Sequence, residues 1–312
     1  DFQKGDNMKV FFVAIGGKPW WTKQHTDAME ALGWKVYPFT DVDLSRIVSE
    51  AVNFKPDLLF YFKHPQVTPD MIDSIKRKTG CRFVQFNGDH RGNSFIKELW
   101  NNRELLDMIL INNSAQQDWY EANGFARCRE WHIGVYPPIH KTYPVGEEYD
   151  VSFGGNAYRD LPLAPERKRL VYAIDSNFKL LTIGNWDTKY AMSWITPEPE
   201  YCQVLCKAKI TLGINHFDVP NYYTRRLWLC LAVGKLHLTR YIPGMERDFK
   251  KGVHLDWFFE VEEAVEMVRY YLNHEEAREK IGKEGQKLVY EKHKVVDRYK
   301  ELEKMLKEEG LC

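Results

Sequence analysis

No apolar run in this chain approaches the roughly 20 residues that a membrane-spanning helix needs. The longest, Phe11 to Ile15 and Leu58 to Phe62, are strand-sized. The chain opens without the basic, then apolar, then small-residue pattern of a secretory signal. An excess of either charge is lacking too: 44 Lys+Arg stand against 44 Asp+Glu, a formal net charge of zero. That balance argues against a protein whose main business is coating nucleic acid, although a local basic groove is compatible with it. The six cysteines lie far apart. Only Cys202 and Cys206 share a helical face, and no second Cys/His pair completes a zinc site. They read as reduced core thiols, and the chain as cytoplasmic. Repeats, low-complexity segments and a GxGxxG dinucleotide fingerprint are all missing.

What is present is enough apolar material for two domains: 312 residues, 44% hydrophobic and 14% aromatic. Met8-Lys-Val-Phe-Phe opens the first strand, so residues 1–7 read as a leader or an addition ahead of it. Strand-like runs at 9–15, 35–39, 57–62, 82–86, 108–111 and 129–133 alternate with helix-like segments at 22–32, 44–53, 68–78, 95–106 and 115–123. The segment 134–149, GVYPPIHKTYPVGEEY, has three prolines and no periodicity, and reads as an interdomain linker. The alternation then restarts, with strands at 149–153, 179–183, 209–214, 235–239 and about 254–258. Helices are expected at 166–175, 200–207, 226–233 and 261–272, and a charged helical tail at 275–307 with a break near 292–294. Strand–helix alternation at this spacing predicts parallel sheets covered on both faces. The expected organisation is an α/β chain of two Rossmann-like domains, 1–140 and 141–312, with a ligand cleft between them.

The polar residues cluster where strands end, the ligand edge of open α/β sheets. Gly16-Gly17 follows the first strand and precedes a helix, where a bare backbone admits an anion; a tight turn is the competing reading. Asp89 and His90 follow the fourth strand and offer acid–base or phosphate-orienting groups. Gly155, Asn156 and Arg159 follow the first strand of the second half, and Arg159 is a candidate phosphate partner. Trp186 follows the next strand, as a stacking face or an ordinary half-buried tryptophan. The richest stretch runs from Asn215 to Gly244. It holds Asn215, His216, Tyr222, Tyr223 and the adjacent Arg225 and Arg226. Side chains one residue apart on a helix diverge by about 100°, so one of these arginines is expected to face the cleft and the other to be structural or solvated.

In order and spacing these pieces resemble the CgeB-like glycosyltransferases, allied to glycosyltransferase family 4 of the GT-B fold. The resemblance rests on Phe86-Asn-Gly-Asp, Trp131-His-Ile-Gly-Val-Tyr-Pro-Pro and Tyr149-Asp-Val-Ser-Phe-Gly-Gly-Asn with Arg159. It continues through Ile183-Gly-Asn-Trp, Ala208-Lys-Ile-Thr-Leu-Gly-Ile-Asn-His, Arg226-Leu-Trp ahead of Ala232-Val-Gly, Leu238-Thr-Arg-Tyr-Ile-Pro-Gly-Met-Glu and Tyr270-Tyr-Leu-Asn-His-Glu-Glu. It implies two Rossmann-like domains whose parallel sheets face a central cleft, with a C-terminal helix crossing back to the N-terminal domain. It also implies a nucleotide-diphosphate sugar held mainly by the C-terminal domain, a hydroxyl acceptor held mainly by the N-terminal one, retention of configuration, no metal and no cofactor.

On that footing Arg159 and Arg226, or Arg225, stabilise the leaving phosphate, and Asp89 or His90 orients the acceptor. Gly16, Gly17, Gly155, Asn156, Asn215, His216 and Gly244 line the donor, and Tyr222, Tyr223 and Trp186 frame its base or sugar. One position departs from the family pattern. The Glu expected to hold the donor ribose is Leu229 here, and Asp218 and Glu246 are the candidate substitutes. Two rival readings follow: a transferase acting on a modified nucleic-acid base, and a catalytically degenerate nucleotide-binding protein. Glycan, small-molecule and modified-DNA acceptors all stay open.

Overall fold

The computed structural model describes residues 8–14, 18–62, 67–89, 97–158, 160–193 and 198–311. The chain divides into two compact units, 1–133 together with 295–312, and 134–294. Each is built on one six-stranded, all-parallel sheet.

In the first unit the strands are β1 (Lys9–Val13), β2 (Lys35–Phe39), β3 (Leu58–Tyr61), β4 (Arg82–Asn87), β5 (Met108–Ile111) and β6 (Cys128–Glu130), ordered β2-β1-β3-β4-β5-β6. Their apolar runs are near-continuous because helices cover both faces of a parallel sheet. Phe11, Leu59, Phe83 and Ile109 are buried on one face. The helices are α1 (Pro19–Glu30), α2 (Ile47–Phe54), α3 (Pro69–Thr79), α4 (Lys97–Asn102) and α5 (Gln117–Ala122). Thr68 starts α3 by accepting the Met71 amide at 3.4 Å, with Pro69 at the first helical position.

The second unit holds β7 (Tyr149–Gly154), β8 (Leu180–Ile183), β9 (Tyr190–Met192), β10 (Ala208–Gly213), β11 (Leu236–Arg240) and β12 (Asp256–Phe258), ordered β12-β11-β10-β7-β8-β9. Read from β9 this is the Rossmann order, with its switch point between β7 and β10. The helices are α6 (Ala164–Asn177), α7 (Glu198–Cys206), α8 (Arg225–Ala232), α9 (Val261–Asn273) and α10 (Glu275–Lys292). The three-residue edge strand β9 has no buried alternation to announce it and is not anticipated from sequence.

The proline-rich segment after Ile133 packs on this second unit. Thr142 donates to the Val233 carbonyl at 2.9 Å, and Tyr290 donates to the His140 carbonyl at 2.8 Å. The expected break in the tail falls at 293–294. The last helix, α11 (Val295–Glu308), is part of the first unit and buries Val295, Arg298, Tyr299, Leu302 and Leu306. The Tyr299 hydroxyl lies 2.9 Å from His25 Nδ1 on α1, and Trp131 Nε1 donates to the Arg298 carbonyl at 2.8 Å. No helix among the described residues is long and apolar enough to cross a membrane.

Candidate functional site

A small cavity open to solvent lies in the second unit where β7, β10 and β11 end and α8 begins. Its walls include Gly154, Tyr201, Gly213, Asn215, Thr224, Arg226, Cys230, His237 and Thr239, and among the described residues no Asp or Glu lines it. It sits at the switch point of the sheet, where open α/β folds place their ligands.

Arg226 supplies the exposed charge. It occupies the first turn of α8, is half-buried, and makes no hydrogen bond or ion pair among the described residues. Thr224, which caps α8, forms no side-chain capping bond, so the positive end of the helix is available beside the guanidinium.

The second cation, Arg167, is one that sequence reasoning missed. It lies on α6 and is 1% exposed. One Nη donates to the Ile214 carbonyl at 2.6 Å, while Nε and the other Nη have no partner among the described residues. Its plane sits over the Phe153 ring at 4.8 Å. A signal for it exists: Arg167 falls on the same helical stripe as Leu170, Val171 and Ile174, an arginine where the period demands an apolar residue. Gly155 makes room for it. That residue holds φ +142, and a Cβ there would collide with the Arg167 guanidinium and lie 3.5 Å from Arg226 Cζ.

The electrostatics follow from two guanidiniums sharing a small space without a carboxylate. Burial, and then Arg226, hold Arg167 well below the usual arginine value. Burial, Arg167 and Arg226 push His216 down to about 3, and both of its ring nitrogens lack partners among the described residues. Burial lowers His237 to about 4, with Arg226 adding to the effect and the Thr211 contact opposing it. Both histidines are therefore neutral at physiological pH. An anion entering the cavity beside Arg226 relieves this repulsion, and a phosphate matches a guanidinium fork in geometry.

The neighbouring Arg225 has a different fate. It grips Glu198 with Nε at 2.9 Å and Nη2 at 3.0 Å and donates to the Gly134 carbonyl. Glu198 also receives His140 Nε2 at 2.8 Å, and His140 Nδ1 accepts the Tyr136 amide at 2.8 Å. Burial raises the Glu198 carboxyl, but Arg225 and His140 outweigh it and hold the group far below its ordinary value. Arg225 is thus an internal anchor for α8 and does not line the cavity.

Other sequence candidates divide in the same way. Asn215 lines the cavity and donates to the Tyr222 carbonyl at 2.8 Å, and His216 follows it in the chain. Tyr223 is core, 2% exposed and packed on Trp228 and Phe249 at 5.7 and 5.5 Å. Trp186 is also buried, against Phe153, and donates its indole N–H to the Gly155 carbonyl; it props the glycine instead of offering a free face. Asn156 accepts the Asn185 amide at 3.3 Å in the same turn. Gly244 packs its Cα side on Asn221, and Glu246 is exposed with Tyr241 donating to it at 3.2 Å. Asp218 pairs with Arg240 at 3.3 Å. Neither acid lines the cavity. Asp89 is exposed beyond β4 in the first unit, with its carbonyl accepting Asn87 Nδ2 at 3.2 Å. Gly16, Gly17, His90 and Arg159 lie outside the described residues.

Leu229 is 3% exposed in an apolar cluster with Ile183, Tyr201, Cys202 and Leu205. Leu229→Glu, which writes the family carboxylate back into the sequence, would bury an unpartnered charge. It is expected to destabilise the protein by at least about 3 kcal/mol, measured by denaturant unfolding, and not to create a ribose site. A variant of unchanged stability would mean that the side chain reaches the cavity.

These two sheets and their order define the GT-B architecture. A family model described as glycosyl transferase-like matches residues 164–304, which include all of the cavity's lining residues except Gly154. Three solved structures share the fold along almost the whole length. An α-glucosyltransferase in complex with UDP-glucose and DNA containing an abasic site superposes with a TM-score of 0.73 at 11% identity, covering 96% of this chain and 100% of that one. The T4 phage BGT in complex with its UDP-glucose substrate gives 0.66 at 13% identity, over 97% and 99%. The Anabaena protein HepE in complex with UDP-glucose gives 0.63 at 13% identity, over 97% and 100%. Comparison with the curated proteins finds no match.

Proposed function

We propose that this protein is a glycosyltransferase that takes its sugar from a nucleotide-diphosphate donor, with the diphosphate held by Arg226 and Arg167 in the second unit. The observation that carries the reading is a cavity with no carboxylate among the described residues, with Arg226 unpaired among them in its wall and the half-satisfied Arg167 beside it. Uridine diphosphate sugars are the favoured donors, because the fold neighbours above are UDP-glucose complexes. In the reaction the bond from the anomeric carbon to the donor phosphate breaks, a bond to the acceptor hydroxyl oxygen forms, and that hydroxyl gives up its proton. Negative charge grows on the departing phosphate, and preorganised guanidiniums stabilise it more in the transition state than in the ground state. This is the charge that metal-independent transfer requires, in keeping with the CgeB-like resemblance and its retention of configuration. The acceptor carries a hydroxyl, whether on a glycan, a small molecule or a modified DNA base. Leu229 keeps a second reading in view, a GT-B protein that binds nucleotide without transfer.

The test is thermal unfolding with UDP, UDP-glucose and other nucleotide sugars, followed by turnover with each acceptor class. A ligand at 100 times its Kd stabilises by about 2.7 kcal/mol, readily seen as a raised Tm. Stabilisation by a nucleotide diphosphate with transfer supports the proposal. Stabilisation without transfer or donor hydrolysis supports the second reading. If no nucleotide diphosphate shifts the Tm, both are wrong.

A further inference from the structure

We infer that His237 selects the ligand of this cavity, accepting a hydrogen bond through Nε2 from a hydroxyl carried beside the bound phosphate. The inference rests on the donor-site reading above and names the chemistry that the ligand brings besides charge.

His237 lies on β11 opposite Thr211 of β10, and its Nδ1 is 3.0 Å from the Thr211 hydroxyl oxygen. That hydroxyl donates to the Leu236 carbonyl at 3.3 Å, so its oxygen receives the proton on Nδ1. The tautomer this assigns leaves a lone pair on Nε2. Among the described residues no group hydrogen-bonds Nε2. The ring edge faces the cavity because position 213 has no side chain: a Cβ on Gly213 would stand 2.8 Å from both Nε2 and Cε1 of His237. Gly213 and His237 both line the space.

Nε2 differs in kind from the rest of the lining, because it is an acceptor with no proton of its own. Arg226 in the wall and the buried Arg167 beside it only donate, whereas the hydroxyls of Tyr201, Thr224 and Thr239 and the Asn215 amide can donate as well as accept. The Asn215 amide donates to the Tyr222 carbonyl, and the Thr239 hydroxyl donates to the Gly213 carbonyl at 3.2 Å. No carboxylate among the described residues lines the space, and Asp218 and Glu246 are engaged elsewhere. The cavity therefore combines anion-seeking groups with a neutral acceptor. Inorganic pyrophosphate satisfies only the first, whereas a phosphate ester bearing a hydroxyl satisfies both. That hydroxyl is supplied by the ribose of the nucleotide or by the transferred sugar.

Calorimetric titration of the full chain with pyrophosphate, UDP and glucose 1-phosphate tests this on wild-type protein, His237→Phe and His237→Gln. In His237→Phe, UDP or glucose 1-phosphate is expected to bind about 10-fold more weakly while pyrophosphate stays within about twofold. His237→Gln, which keeps an acceptor near the Nε2 position, recovers most of the loss. Loss confined to UDP assigns the ribose hydroxyl, and loss with glucose 1-phosphate assigns the sugar hydroxyl. Equal weakening of all three ligands, or no weakening of the two that carry hydroxyls, overturns the inference. Should the phenylalanine variant fail to fold, 2′,3′-dideoxy-UDP and 1-deoxyglucose 1-phosphonate analogues lacking ring hydroxyls give the same contrast on the wild type. Wild-type protein that binds none of the three ligands sinks the donor-site reading itself, and this inference with it.

Discussion

Arg226→Ala should cost about 100-fold in nucleotide-diphosphate binding or turnover and leave the melting temperature unchanged or slightly higher. Charge-assisted hydrogen bonds contribute about 1.5–3 kcal/mol each, and a guanidinium makes two to a phosphate. The same side chain gives the unliganded protein little. It makes no hydrogen bond or ion pair among the described residues, and it stands beside Arg167 and His216, whose charged forms it disfavours. Removing it relieves like-charge repulsion. Arg226→Lys should recover only part of the affinity, because an ammonium lacks the two-pronged fork. Titration with UDP and calorimetric unfolding on the same samples check both halves. Unchanged turnover removes Arg226 from the mechanism, and a collapsed Tm reassigns it to the scaffold.

One residue earlier the expectation inverts. Arg225→Ala should destabilise the protein by about 3–5 kcal/mol, the usual result of stripping one partner from a buried pair. Glu198 is 8% exposed and among the described residues would keep only His140 as a partner. At about 2–4 °C per kcal/mol for a unit of this size, the Tm falls by roughly 10 °C. The pH dependence identifies the cause. Because the folded-state pKa of Glu198 lies below its ordinary value of 4.5, its contribution is complete above that value and is lost as the pH falls below it. Arg225→Ala should therefore flatten the acid limb of the stability curve, and Glu198→Gln should do the same. A wild-type Tm and acid limb in Arg225→Ala would show that the pair holds nothing in place.

Those two arginines show how far a sequence reaches. Their 100° divergence on a helix requires that one differ from the other, but nothing in the local sequence says which. The choice depends on where Glu198, 27 residues away, is brought by the packing of α7 against α8. Tyr223 and Trp186 illustrate the same limit, since stacking platforms and core aromatics have identical local patterns. Arg167 is the opposite case. Its place on an apolar stripe is visible in the sequence, and an arginine there needs a reason.

The order of residues dictates the alternation of strands and helices, and with it two parallel α/β sheets. Apolar runs four to six residues long separated by amphipathic helices have few other ways to bury their surface. It also determined that the polar residues gather at strand ends, because a parallel sheet leaves its loops there. Tertiary structure alone decided which of them form a site. Anion binding needs charges left unpaired in a confined space, and pairing depends on distances between segments far apart in the chain. So Arg226 with Arg167 and His237 makes a pocket around the Asn215–Arg226 loop, while Arg225, Tyr223 and Trp186 are absorbed into the scaffold that holds it open.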